Sequence, residues 1–587
     1  MSEISNLLNL QSKLKDKKID LLIVNRSDEF LNEYISPYAE RLQFISNFSG
    51  SAGKAIVLQN EAYLYVDGRY TFQAKEQING KEISLKHYED FWIKFKSYCK
   101  FVKSIAIDPK LHSIKEIEKF LEYTKDSEVK LVYLDNNPID QIWKKQPKKK
   151  YSKVFDHPIK FAGLGRETKI KKFQNLLKRK NLNFYLITSL DSIAWILNIR
   201  GNDIQYTPIA FSYLLIPSEG KARLYISINN LSKKLKNNLL KNLHLQSINK
   251  INSIFIKLLN KKKIGIDFQN TSYYFYKLAF KSELIIKNIP NPCLLPKAEK
   301  NSTELDGARK AHIRDGVSIT KFLCWLKNLK DYNSKTEMNL GKKLYLLRKN
   351  NEFFHSISFD SISAVGKNAA LPHYRVNKNN NSKLFKNSIY LIDSGAQYYD
   401  GTTDITRTII IGTASKEQKD RFTRVLKGHI KLTSHVFKKG TTGSDVDYLA
   451  RESLNEIGLD YDHGTGHGIG SFLSVHEGPQ RIAKKGQFQN IQLMPGMILS
   501  NEPGFYKEGE YGIRIENIIV VKEKDKKNLE FENISWAPID KDLIVKEMLS
   551  EFEIKWINNY HKKVYDNLNN FVNLKERKWL QNVTTPL

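Results

Sequence analysis

Four acidic residues at the ends of, or within, apolar strand-like runs constrain this chain more than any other feature. KNSIYLIDSGAQYYDGTTDITRTIII reads as two strands joined by a turn at Tyr399-Asp400-Gly401, with Asp393 closing the first strand and Asp404 opening the second. MILSNEPGFYKEGEYGIRIENIIVV repeats the plan as strand, long turn, strand. Glu502 ends the first of these, and Glu516 lies inside the second, within an apolar run. Adjacent strands lie about 5 Å apart, so carboxylates near facing strand ends can converge. Buried together without counter-ions, such acids repel one another and are costly to desolvate. Four carboxylates match the charge of two divalent cations. A water shared by two such ions loses a proton near neutral pH and becomes a nucleophile. Taken alone, an Asp-Gly turn is ordinarily just a turn; the repetition of the pattern is what carries weight.

Histidine usage adds a second line. Of 13 histidines, His463, His467 and His476 crowd into HGTGHGIGSFLSVHEGP, where glycines at 464, 466, 468 and 470 let backbone approach closely. His373, in NAALPHYRV, is a fourth candidate. His467 offers one imidazole to complete a shell of carboxylates. Arg514 stands two residues before Glu516, so the two-residue period of a strand puts both on one face. It is placed either to orient carboxylates or to form an ordinary ion pair.

The rest of the chain reads as a frame. At 587 residues it is too long for one core. KDKKIDLLIVNRSD, with Asp28, is echoed by KRKNLNFYLITSLD, with Asp191, and ISNFSG by ILNIRG, so two related α/β units are expected. Between them WKKQPKKKYSK, residues 143–153, reads as a solvated linker, with a nuclear-localisation or polyanion-binding patch as the alternative. Prolines in IPNPCLLPKAEKN mark a second boundary, and helical patterning starts at Ser302. One clear helix, 416–438, interrupts the later strands. The formal charge of +31 is mostly lysine spread along the chain, with no recognisable binding module, so no nucleic-acid partner is expected. Three scattered cysteines suit buried thiols in a reducing compartment. The N-terminal segment reads as an amphipathic helix rather than a signal peptide, and no transmembrane helix is expected. Both point to a cytoplasmic protein with no membrane partner.

At these residues the sequence resembles the pita-bread metallopeptidases, the group containing methionine aminopeptidase, prolidase and aminopeptidase P. The order Asp, Asp, His, Glu, Glu is that group's ligand order. KNSTELDGARKAHIRDGVS, LIDSGAQYYDGTTDITRT, LDYDHGTGHGIGSFLSVHEGP, NEPGFYKEGEYGIRIEN and the terminal ERKWLQNVTTPL are similar to the cytosolic, three-domain Xaa-Pro aminopeptidases. The resemblance implies two related N-terminal α/β domains (1–147 and 148–297), a pita-bread catalytic domain (298–525) and a helical extension (526–587) packed on it. It implies two divalent ions, commonly Mn²⁺, held by Asp393, Asp404, His467, Glu502 and Glu516. Asp404 and Glu516 would bridge them. Glu502 would shuttle protons, His463 and His476 would contact the substrate carbonyl, and His373 and Arg514 would help bind substrate. Arg69 in DGRY is the candidate contact from the first domain. The implied activity is removal of the first residue from short peptides with proline second, by a hydroxide held between the ions, in a homodimer. Prolidase and a metal-free binding module are the alternatives within the same fold.

Overall fold

The computed structural model describes residues 5–256, 258, 261–486 and 490–587. The chain forms two compact units, one of Met1–His157 with Leu164–Cys293, the other of Pro158–Gly163 with Leu294–Leu587.

The first unit holds two six-stranded sheets of one topology. In the first, Leu21–Asn25 lies between the antiparallel Lys54–Leu58 and the parallel Ser104–Ile107. Ala62–Val66 and then Ser84–His87 extend one side, and Lys130–Tyr133 the other. In the second, Phe184–Ile187 takes the central place. Ser212–Pro217, Ala222–Ile226 and Leu243–Ser247 lie on one side, and Lys263–Ile266 and Ile285–Asn288 on the other, with the same parallel and antiparallel senses. The repeated LLIV and FYLI runs are thus the equivalent central strands. The echo of ISNFSG in ILNIRG has a backbone cause. Asn47 and Asn198 both end short helices in the left-handed conformation (φ 62° and 51°), which asparagine tolerates.

The lysine-rich linker is less solvated than its composition suggests. Lys149 pairs with Glu29, and its ammonium lies 4.4 Å from the Phe211 ring centre and 4.7 Å from that of Phe30. The cation–π attraction and the ion pair together draw one lysine of the run inward. Arg69 is held by its neighbour Asp67, at 2.7 Å.

In the second unit, the 26-residue helix Ser302–Lys327 starts at Asn301, whose side chain and that of Glu304 cap each other's backbone N–H. Three strands, Ile362–Val365, Ser388–Ser394 and Ile405–Ile411, form one antiparallel sheet. Ile498–Asn501 and Asn517–Glu523 pair in another. The helix expected over 416–438 stops at Thr433, and Val436–Lys438 becomes a strand paired with Asn528–Asn533. A further helix, Asp447–Asn455, lies where sequence patterning indicated strands and turns. Helix Glu551–Leu568 buries Ile557, Tyr560, Val564 and Leu568 in a core shared with Phe422, Val425 and Leu426 of helix Lys416–Thr433. Cys99, Cys293 and Cys324 are buried free thiols. Among the described residues no helix is long and apolar enough to cross a membrane.

Candidate metal centre

The two acid-bearing segments meet through their backbones. Asp393 lies one residue from the end of Ser388–Ser394, opposite Thr406, and Asp404 immediately precedes Ile405–Ile411. Glu502 immediately follows Ile498–Asn501. Glu516 is not inside a continuous strand, as the apolar run suggested, but at the break between Tyr511–Arg514 and Asn517–Glu523. The break has a cause. Glu516 leaves its own hairpin to bridge to Thr406, its N–H donating to the Thr406 carbonyl at 3.2 Å. The Thr406 hydroxyl donates to Glu516 Oε2 at 2.7 Å. Arg407, fully buried, ties the junction by donating to the carbonyls of Thr406 and Glu516, each at 2.8 Å.

His467 sits on the short strand Gly466–His467, its N–H donating to Ser500 Oγ at 2.9 Å. Its Nδ1 is 3.0 Å from the Gly468 carbonyl, which can only accept, so Nδ1 carries the proton. Nε2 is then left with its lone pair, 3.5 Å from Asp404 Oδ2 and 3.7 Å from Glu502 Oε1. Ligand atoms of Asp404, His467 and Glu516 all lie within 4.8 Å of one another.

The electrostatics fit a cation site. Burial and then mutual repulsion among Glu516, Asp393 and Glu502 hold the Asp404 carboxyl well above the ordinary range. Burial, then Asp393 and Glu502, do the same to Glu516. Glu502, half-buried, is pushed up to about 7, mainly by burial, against the pull of Arg514. Asp393 Oδ1 and Asp404 Oδ1 are buried and accept no hydrogen bond among the described residues. Orphaned acceptors and forced-up acids are what a divalent cation would relieve, so the donor set fits two hard ions.

A polar chain lines the same centre. Arg514 Nη2 donates to Asp393 Oδ2 at 2.6 Å, and its Nη1 to Tyr506 Oη at 2.6 Å. Burial alone would lower the Arg514 guanidinium, but the surrounding Tyr506, Asp393, Glu502 and Glu516 hold it well above its usual value. His463 Nδ1 is 2.8 Å from the Gly464 carbonyl, so Nε2, at 2.8 Å, accepts from the Tyr506 hydroxyl. The His476 ring stands edge-to-face on His467, centroids 4.3 Å apart. His373 follows Pro372, whose carbonyl accepts from Arg514 Nη2 at 3.3 Å. All the candidates of the second unit are therefore brought to one place or directly beside it. Sequence reasoning missed Tyr506 and Thr406. Neither residue type signals a site, and only long-range pairing gives their hydroxyls partners.

Known proteins are similar to this chain over nearly its whole length. The metallopeptidase family M24 profile matches residues 306–523, and the C-terminal region of that peptidase group matches 527–587. Creatinase/prolidase N-terminal domain profiles match 7–140 and 145–304. The probable Xaa-Pro aminopeptidase P of Neosartorya fischeri is 38% identical over 99% of this chain and 92% of its own length. That of Blastomyces gilchristii is also 38% identical, over 99% and 98%. The X-prolyl aminopeptidase of Caenorhabditis elegans, a cytosolic enzyme with a di-nuclear active site, superposes with a TM-score of 0.94 at 32% identity, covering 99% of each chain. The prolidase of Pyrococcus horikoshii shares the fold over 64% of this chain and 99% of its own, with a TM-score of 0.51 at 24% identity. The chain is a hydrolase of the M24 metallopeptidases, belonging to the Xaa-Pro aminopeptidase P family.

Proposed function

We propose that this chain removes the N-terminal residue from short peptides with proline at the second position, with Asp393, Asp404, His467, Glu502 and Glu516 holding two divalent cations. The convergence of four carboxylates and one imidazole lone pair carries this reading. When bound, the ions supply Lewis acidity to a peptide carbonyl and acidify a shared water. Asp404 and Glu516, buried deepest among the acids, would serve both ions, and Asp393, His467 and Glu502 would complete the ligand set. The oxygen-rich set favours a hard ion, for which we assign Mn²⁺.

The side chains do the rest. Glu502 is the one half-buried acid, and it moves a proton from the attacking water to the proline nitrogen, which must be protonated to leave. His476 stabilises negative charge growing on the carbonyl oxygen, and His463, whose ring nitrogens are engaged by Gly464 and Tyr506, lines the substrate site beside it. The Tyr506 hydroxyl fixes the His463 tautomer, and Arg514 fixes Asp393. His373 borders the proline-ring pocket. By kinship with the same family, the enzyme is assigned to the cytoplasm as a homodimer, which sedimentation tests.

Relatives similar over 99% of the chain are Xaa-Pro aminopeptidases, which favours that reading over prolidase, and the complete ligand set disfavours a metal-free scaffold. The decisive comparison supplies Mn²⁺ and offers Xaa-Pro-Xaa tripeptides beside Xaa-Pro dipeptides. Tripeptides are expected to be cut after the first residue. Cleavage of dipeptides alone would make the protein a prolidase.

A further inference from the structure

Three ions are buried beside the histidines without belonging to the acid cluster. Lys300 Nζ donates to Glu477 Oε1 and to the Lys297 carbonyl, each at 2.6 Å. Lys297 Nζ lies 3.0 Å from Glu477 Oε2. All three side chains are at most 1% exposed. The lysines come from the end of the short helix Leu294–Ala298 and the turn before Ser302–Lys327, whereas Glu477 directly follows His476.

Glu477 also lies on the stretch that follows His467. Its N–H donates to the Gly468 carbonyl at 2.8 Å. A Cβ at Gly468 would stand 2.1 Å from the Glu477 carbonyl oxygen, and one at Gly470 would stand 2.7 Å from Oε2. Glycine is required at both positions for Glu477 to lie so close. The carboxylate therefore joins the His467 segment, the His476 segment and the lysine pair at a single point.

Stability alone does not explain this arrangement. Burying ions costs desolvation, and apolar side chains of similar volume commonly hold a fold as well or better. What the cluster does supply is a fixed place: the Lys300 hydrogen bond and the Lys297 ion pair hold both Glu477 oxygens, and Lys300 is itself anchored on the Lys297 carbonyl, which sets one geometry for the loop that carries His476. We infer that Lys297, Glu477 and Lys300 are positioning residues for hydrolysis, clamping the His476 loop against the His467 segment so that His476 meets the substrate carbonyl. This rests on the role assigned to His476 above. Breaking the clamp slows turnover without stripping the ions.

The test uses full-length, Mn²⁺-loaded protein. Lys300→Met removes the hydrogen bond to Glu477 and keeps the Lys297–Glu477 ion pair, so the carboxylate retains a buried counter-ion. The expected result is a kcat about tenfold lower with KM within about twofold, since small misplacement of a catalytic group is enough for such a loss. Metal content per chain is unchanged. His476, followed by diethyl pyrocarbonate labelling and peptide mass spectrometry, reacts several-fold faster than in the wild type. Lys300→Arg restores most of the lost rate. Glu477→Gln, similar in shape and lacking the charge, moves kcat and His476 reactivity in the same direction. Wild-type kinetics and labelling in a folded Lys300→Met protein would overturn the inference, and so would a rate loss that merely tracks lost metal or lost folded protein. Should the wild type itself fail to cleave Xaa-Pro-Xaa peptides, the proposed function falls, while the labelling comparison still judges the clamp.

Discussion

At the scale of single residues, Tyr506 connects two groups that the sequence shows only separately. Its hydroxyl accepts from Arg514 and donates to His463, so one proton arrangement satisfies both. Tyr506→Phe keeps the ring and removes that link. We expect kcat to fall about tenfold, the worth of roughly one hydrogen bond to a charged group, with metal content unchanged; equal loss of both would make Tyr506 part of the ion cage. The acids and His467 were legible because burying several carboxylates at strand ends has few purposes other than holding cations. Strand period put Arg514 on a face with Glu516; in the structure the strand breaks between them, and the guanidinium donates to Asp393 instead. Tyr506 was not, because a tyrosine in a strand is ordinarily core and its partners are 43 and 8 residues away.

Among elements, the bridge between the two hairpins depends on Arg407. Its guanidinium donates to the Pro538 and Ala537 carbonyls and to Tyr560 of helix Glu551–Leu568, besides Thr406 and Glu516. Arg407→Met would take the donor from the buried Pro538 and Glu516 carbonyls, at about 1–3 kcal/mol each. Calorimetry should show a melting temperature lower by roughly 5–10 °C, together with weaker ion binding; an unchanged melting point would contradict this role. The sequence displayed the two-hairpin plan but simplified it. Strands Ala396–Tyr398 and Gly401–Thr402 fill the first turn, and Gly504–Lys507 with Tyr511–Arg514 fill the second. Short strands of this kind owe their pairing to neighbours distant in sequence, so local periodicity does not reveal them. The left-handed Asn47 and Asn198 show the opposite case, in which a local backbone demand leaves a visible repeat.

For the molecule as a whole, burial of neutral imidazoles sets its acid tolerance. Burial lowers His429 and His561 to about 3 and His312 to about 4. Each folded-state value lies below the ordinary 6.5, so each contributes stability that is full above that pH and drains away as pH falls toward the folded value. By pH 5 each such histidine has forfeited about 2 kcal/mol. His561 accepts from the Ile539 N–H at 3.1 Å, a bond that glutamine can imitate without titrating. Wild type should therefore lose about 2 kcal/mol more than His561→Gln between pH 6.5 and 5 in denaturant melts; parallel losses would show that His561 does not titrate on unfolding. The duplicated N-terminal sheets were legible through their echoed central strands. The inward turn of Lys149 was not, since composition alone places a lysine run in solvent.

Hydrolysis by this chain depends on five side chains holding two ions together. Elemental analysis of the purified chain after Mn²⁺ loading and removal of free metal, beside an Asp404→Asn variant, measures this most directly. We predict two ions per chain in the wild type and fewer than one in the variant, because a bridging ligand serves both. A fully active wild type with one ion or none, or a variant that retains both, would contradict it.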